Sequence, residues 1–406
     1  MKLFAEQQPE APTVSPEALA TDQAYWQSVA AQYDVTGDVA MLDNGFWGSM
    51  SKPVLAHYQQ QTEMVNRNNA WYARRHFIDD FEAARVAVAM ALGVATDEIV
   101  LTRGAAEALQ ALIAGYNRLR PGDAVLCADT DYDNMITVMH WLKQRRGVEV
   151  VSLQMPEPFT HDGIVAAYAQ AMERHPALKM MLLTHVSHRH GMLVPVAQIS
   201  AMARERGIDV IVDTAHGFGQ LDMLIPDLQA DFAGINLHKW IGGPVGLGAL
   251  YVRHGRLADI DPYLSAHASD DIATRIHTGT VNFAAYLTLP VALDAHAQIG
   301  VANKQARLQL LRNRWVDAAR GIAGVELLAS SDPRQVNAIA SFRLQGQTSW
   351  SDNVAVSDRL AQEHGIYVVP RKGLASGACL RVTPGIFTPE SHMDRLVDAL
   401  RQLVRY

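Results

Sequence analysis

The chain has 406 residues, 35 of them Lys or Arg and 42 Asp or Glu, for a formal net charge of −7. Hydrophobic residues make up 49% and charged ones 19%, a globular composition that excludes a disordered or low-complexity protein. The length exceeds the roughly 100–200 residues of one typical domain, so a large unit plus a smaller one is expected. Mild acidity argues against a nucleic-acid partner, which needs clustered Lys and Arg to meet phosphates. Two cysteines, Cys127 and Cys379, exclude a disulfide framework or a cysteine zinc site and fit a reducing compartment. No stretch reads as a signal peptide or membrane span, so a cytoplasmic protein without a membrane partner is expected.

Residues 1–20, rich in Pro, Glu and Gln, read as a loose arm, and residues 16–32 read as a helix capped by Ser15. From residue 98 onward, short apolar runs alternate with amphipathic stretches. The runs at 98–102, 124–128, 148–153, 180–186, 209–214, 232–237 and 248–252 have the length and aliphatic content of buried strands. Helical spacing fills the intervals at 105–119, 134–145, 163–174 and 196–205. Such alternation predicts an α/β fold with a mostly parallel sheet and helices on both faces. After Pro290 one long helix over 291–322 leads to strands at 325–328, 338–344, 367–370 and 379–382 with two helices between them. The expected organisation is an arm and helix over 1–40, a large α/β domain over 41–290 and a small α+β domain over 291–406.

Two strand ends carry the chemistry. One apolar run leads into Asp213-Thr214-Ala215-His216-Gly217, and another leads into His238-Lys239-Trp240. Open α/β sheets bind ligands beyond the carboxyl ends of their strands, where these residues fall. A desolvated Lys opposite an Asp is the pair that pyridoxal 5′-phosphate (PLP) requires. The Lys forms a Schiff base with the aldehyde, and the Asp keeps the pyridine nitrogen protonated so that the ring withdraws electrons. Either residue alone reads more simply as a helix cap or a surface group; the pair makes the signal. A third element, Thr102-Arg103-Gly104-Ala105-Ala106, joins a strand to a helix, and its small residues leave helix N-terminal amides open to a phosphate.

With these motifs in hand, the chain resembles the class V aminotransferase family of fold-type-I PLP enzymes. The likeness is strongest to isopenicillin N epimerase-like members, and it runs from about Leu42-Asp43-Asn44-Gly45 to the C-terminus. It implies Lys239 as the Schiff-base lysine and Asp213 as the pyridinium partner. It puts Gly104, Ala105 and Ala106 in the phosphate turn, where many relatives carry Thr, and His216 and His238 against the phosphate or ring. Tyr132 would stack on the pyridine face. Thr280, in His277-Thr278-Gly279-Thr280, would reach the neighbouring subunit's phosphate in a homodimer. Arg381, in Cys379-Leu380-Arg381-Val382, would grip the substrate carboxylate, and His188 stands where many relatives carry Asn, a departure bearing on substrate choice.

The expected activity is therefore PLP chemistry at Cα of an amino acid or peptide-derived substrate, epimerase- or aminotransferase-like, with Lys239 and Asp213 as catalytic residues. A C–S or other β-lyase, and a non-catalytic PLP-fold binding protein, stay open as alternatives. A cysteine desulfurase needs a nucleophilic Cys on a mobile loop, and residues 372–378 contain none. His185, His188 and His190 have metal-like spacing but no carboxylate or thiolate close in sequence, so no metal is expected. Arg74 and Arg75 are candidates for a distal substrate carboxylate, or for surface ion pairs.

Overall fold

The structure is a computed structural model that describes residues 13–264, 267, 269–276 and 279–405. A short strand, β1 (Ala40–Met41), precedes the main sheet. That sheet contains β2 (Ile99–Thr102), β3 (Ala124–Ala128), β4 (Glu149–Leu153), β5 (Leu178–Thr184), β6 (Asp209–Asp213), β7 (Phe232–Asn236) and β8 (Gly248–Val252). The strands lie in the order β2-β8-β7-β6-β5-β3-β4, and β8 alone runs antiparallel to its neighbours. Most are buried on both faces, which explains continuous apolar runs in place of alternation.

Successive side chains divide between two apolar layers. Val125, Cys127, Met180 and Ile211 face α5 (Ala105–Gly115) and α6 (Asp133–Arg146). Leu126, Met181, Leu183 and Val212 face the layer of α4 (Phe77–Leu92), α7 (His161–Arg174), α8 (Val196–Arg204) and α9 (Phe283–Ile299). Each fully buried Leu or Ile in these layers contributes about 2 kcal/mol relative to exposure. The smaller sheet is antiparallel, in the order β12-β13-β10-β9, built from β9 (Val325–Leu328), β10 (Ala340–Leu344), β12 (Val369–Arg371) and β13 (Cys379–Val382). It is backed by α10 (Val301–Ala319), α11 (Trp350–His364) and α12 (Glu390–Leu403) around Trp315, Phe342, Leu360 and Leu396. β11 (Ile366–Tyr367) pairs in parallel with β1.

Several elements differ from the sequence reading. The helix expected over 16–32 is two, α1 (Pro16–Ala20) and α2 (Gln23–Ala30), because Asp22 caps the second by accepting from the Tyr25 N–H at 3.0 Å. Ser15 caps the first as expected, accepting from Ala18 at 3.3 Å. The arm is docked from there on: Leu19 is fully buried and its carbonyl accepts the Trp26 indole N–H at 2.7 Å. Residues 1–12 of the expected loose arm lie outside the described residues. The single helix over 291–322 is likewise two, broken at Gly300, whose φ of 84° ends α9. α9 begins earlier, behind Asn282 as N-cap, and carries Pro290 inside it. Burial of Ala285, Tyr286, Leu289 and Leu293 outweighs the one backbone hydrogen bond that the proline removes. α3 (Lys52–Arg75) and α4 were not anticipated at all. Among the described residues no helix is long and apolar enough to cross a membrane.

Candidate active site

A cavity of about 410 Å³ opens at the carboxyl ends of the main-sheet strands, walled on its far side by β12 and β13. Gly104, Ala105, Ala106 and Tyr132 line it from one side, and Asp213, His216, His238 and Lys239 from the sheet. His188 and Arg381 line it as well, so ten of the eleven sequence-derived site residues meet in one place. The exception is Thr280, which is exposed and not among the lining residues. His277 and Thr278 of its segment lie outside the described residues.

Lys239 follows the buried strand β7, and its segment is held from behind by a close backbone approach. The Gly48 N–H donates to the His238 carbonyl at 2.9 Å, and a Cβ on Gly48 would sit 2.0 Å from the Lys239 carbonyl oxygen. The Lys239 Nζ lies 3.1 Å from His216 Nε2. Burial pushes its amine down to about 8, opposed by the nearby Asp213 carboxylate. The same burial holds His216 well below the ordinary imidazole range, so the neutral ring accepts from the ammonium through Nε2 and carries its proton on Nδ1. Asp213 is buried and its carboxyl is raised by desolvation; one oxygen accepts the Ala215 N–H at 2.9 Å.

Gly104, the N-cap residue of α5, has no side chain to cap the helix, and Gly104, Ala105 and Ala106 present this turn to the cavity. Asn236, at the end of β7, ties this turn to the sheet: its Oδ1 accepts the Ala105 N–H at 2.8 Å. His238 Nδ1 sits 2.8 Å from the Leu247 carbonyl and 3.3 Å from the Leu247 amide nitrogen, which fixes the ring against the segment before β8. The His188 and Tyr132 rings meet edge to face at 5.3 Å. Arg381, 1% exposed, donates to the His188 carbonyl at 2.9 Å and to the Asp43 carboxylate.

Four residues that line this cavity each have a buried side-chain nitrogen with no hydrogen-bond partner: His188 Nδ1, His216 Nδ1, Arg371 Nε and Arg381 Nε. Folded proteins pair nearly all such atoms, so their clustering in residues around one cavity is unusual. A desolvated amine, a buried carboxylate and a glycine- and alanine-lined helix N-terminus, its first amide taken by Asn236, in the same cavity match the aldehyde, ring nitrogen and phosphate of PLP. The residues present fit the cofactor.

Sequence reasoning missed Asp43 as partner of Arg381, Asn236, and Arg371 with Lys372 on the outer wall. It also missed Arg189, 1% exposed, whose guanidinium donates to the Lys372 carbonyl at 2.7 Å, the Asp129 carbonyl at 2.5 Å and Asp133 at 2.8 Å. From the other side Arg343 donates to the Ser376 and Ala378 carbonyls at 2.6 and 3.3 Å. Two buried arginines thus clamp the segment 372–378. Arg74 and Arg75 are exposed at the end of α3 and do not line the cavity.

This fold and cavity define a fold-type-I PLP enzyme. The Aminotransferase class-V family profile matches residues 49–382, and the chain belongs to that family. It is 28% identical to isopenicillin N epimerase from Streptomyces clavuligerus over 72% of this chain and 77% of that one. It is 26% identical to a probable cysteine desulfurase from Methanothermobacter thermautotrophicus over 65% and 66% of the two chains. The apo cysteine desulfurase structure from Thermococcus onnurineus NA1 superposes with a TM-score of 0.81 at 19% identity, covering 93% of this chain and 98% of that one. PLP is the cofactor that this family and these residues require.

Proposed function

We propose that this enzyme removes the Cα proton of an amino acid or peptide-derived substrate, in epimerase- or aminotransferase-like chemistry. The observation that carries the reading is the desolvated Lys239 amine, lowered to about 8, sharing one cavity with Asp213, His216 and Arg381. PLP, when bound, supplies an electron sink for the pair left on Cα. Asp213 provides the negative charge that keeps the ring nitrogen protonated. Lys239 would hold the cofactor through its amine, and the same amine, when free, would take the Cα proton. His216 accepts a hydrogen bond from that amine and orients it. Arg381, which lines the cavity, would receive the substrate carboxylate through its guanidinium N–H groups. For epimerisation, His188, half-buried and held neutral by desolvation, or Tyr132 would return a proton on the opposite face.

We further assign residues 41–290 to a large domain and 291–406 to a small one, supported by the seven-stranded sheet lying within the first range and the four-stranded sheet within the second. The same reading places the chain in the cytoplasm as a homodimer in which Thr280 serves the partner's site.

A C–S or other β-lyase is the second reading, favoured by similarity to a desulfurase. Against persulfide chemistry stand the missing loop cysteine and the clamp on 372–378. The test incubates the PLP-loaded protein with L-amino acids and short peptides in heavy water and follows the Cα proton by NMR. Exchange is expected, with loss of exchange and of borohydride-fixed, protein-bound PLP in Lys239→Ala. Pyruvate or sulfide release would favour the lyase. Exchange that persists undiminished in Lys239→Ala would sink the assignment.

A further inference from the structure

The outer wall of the cavity carries more positive charge than one amino-acid carboxylate can balance. β12 and β13 are antiparallel, with Val369 opposite Arg381 and Arg371 opposite Cys379. Because side chains alternate along a strand, Arg371 and Arg381 lie diagonally on one face of the sheet, and both line the cavity. One carboxylate serves both. Asp43 accepts from Arg381, and the same oxygen is 3.9 Å from Arg371 Nη2, beyond hydrogen-bond distance. Arg381 is 1% exposed and already donates to two acceptors. The Arg371 side chain is 27% exposed, and its Nε makes no hydrogen bond. Lys372 extends the positive wall towards the mouth, with its ammonium 6.0 Å from the Trp350 ring centroid. The Arg189 clamp on the Lys372 carbonyl holds this wall in place.

We infer that Arg371 recognises a second anionic group on the substrate, so that the amino acids this site accepts carry a side-chain carboxylate. The inference rests on the reading of this cavity as the amino-acid site, with Arg381 taking the α-carboxylate. A planar guanidinium binds a carboxylate through two parallel hydrogen bonds, and a neutral amide of the same shape cannot replace the charge. It also moves the distal-carboxylate role from Arg74 and Arg75 to a residue that lines the cavity.

The experiment compares the PLP-loaded enzyme on L-aspartate, L-glutamate and L-2-aminoadipate with L-asparagine and L-glutamine, reading Cα exchange as kcat/KM. At least one acid should exceed its amide, or the neutral amino acids generally, by a factor on the order of ten to a hundred. In Arg371→Met that ratio should collapse towards one, and Arg371→Lys should restore part of it. Bound PLP and the circular dichroism spectrum serve as checks that the variants are folded. An enzyme that exchanges neutral amino acids as readily as acids overturns this inference alone. So does an Arg371→Met variant that lowers both classes by the same factor, since Arg371 would then serve the α-carboxylate or the fold. Absence of exchange with every amino acid and peptide tried overturns the underlying reading, and this inference with it.

Discussion

At the scale of single residues, the chemistry turns on how far burial lowers one amine. An ordinary lysine, with a pKa near 10.4, is neutral in only a few molecules per ten thousand at pH 7, whereas an amine at about 8 is neutral in roughly one of ten. Covalent capture of the PLP aldehyde needs the neutral form. The apo chain should therefore capture PLP about tenfold faster per pH unit until pH reaches about 8, and then level off. Stopped-flow absorbance checks this, and a rate still climbing steeply near pH 10 would show that Lys239 is not desolvated. The Asp213 carboxylate stabilises the ammonium and so raises this pKa against the effect of burial. Asp213→Asn should accordingly move the plateau to lower pH while lowering turnover by several powers of ten, because the ring nitrogen loses its partner. The two effects have opposite consequences for capture and for turnover. General loss of structure would depress both.

At the scale of elements, the site depends on segments that are held rather than free. Arg189 joins the end of β3 and the start of α6 to the segment after β12, and Arg343 holds the same segment from β10. Arg189→Met should leave three acceptors short of a charged donor and cost about 3 kcal/mol, with faster amide hydrogen exchange over 372–378 and a raised KM. A variant with unchanged exchange protection there would show that the clamp does not order the segment. Gly48→Ala should act on the opposite wall, because its methyl would collide with the Lys239 carbonyl and displace the lysine segment. Loss of PLP retention with little loss of secondary structure is the expected result. These elements also show what the sequence could reveal. Asp213 and Lys239 were legible because each follows an apolar strand, a signal contained within about ten residues. Arg371 was not, because an Arg before Lys-Gly reads as a turn and its nearest carboxylate, Asp43, lies more than 300 residues away in sequence. α3 escaped notice because it is mostly polar and packs chiefly against α9, a contact that local periodicity does not encode. Pro290 suggested a helix start only because the buried face that carries α9 through it comes from tertiary packing.

At the scale of the whole molecule, one sequence-derived site residue is missing from the cavity of its own chain. Thr280 is exposed, one residue beyond Gly279, in a segment that continues into α9. Beside the catalytic cavity lies a second one of about 1040 Å³, lined by Arg103, Gly104 and Ala106 together with Tyr263 and Leu264. Leu264 is 99% exposed, an apolar side chain that a solitary chain would place in water. We therefore expect each active site to be completed by the partner's Thr280 in a two-fold homodimer. Subunit mixing tests this directly. Lys239→Ala removes the lysine from its own site, and Thr280→Val would impair the partner's. In a mixed dimer both defects fall on one site and the other site is intact. Random mixing of equal amounts should therefore restore about a quarter of parental activity from two weak parents. If Thr280 served its own chain, each site in the mixed dimer would carry one defect, and mixing would give no more than the average of the two variants.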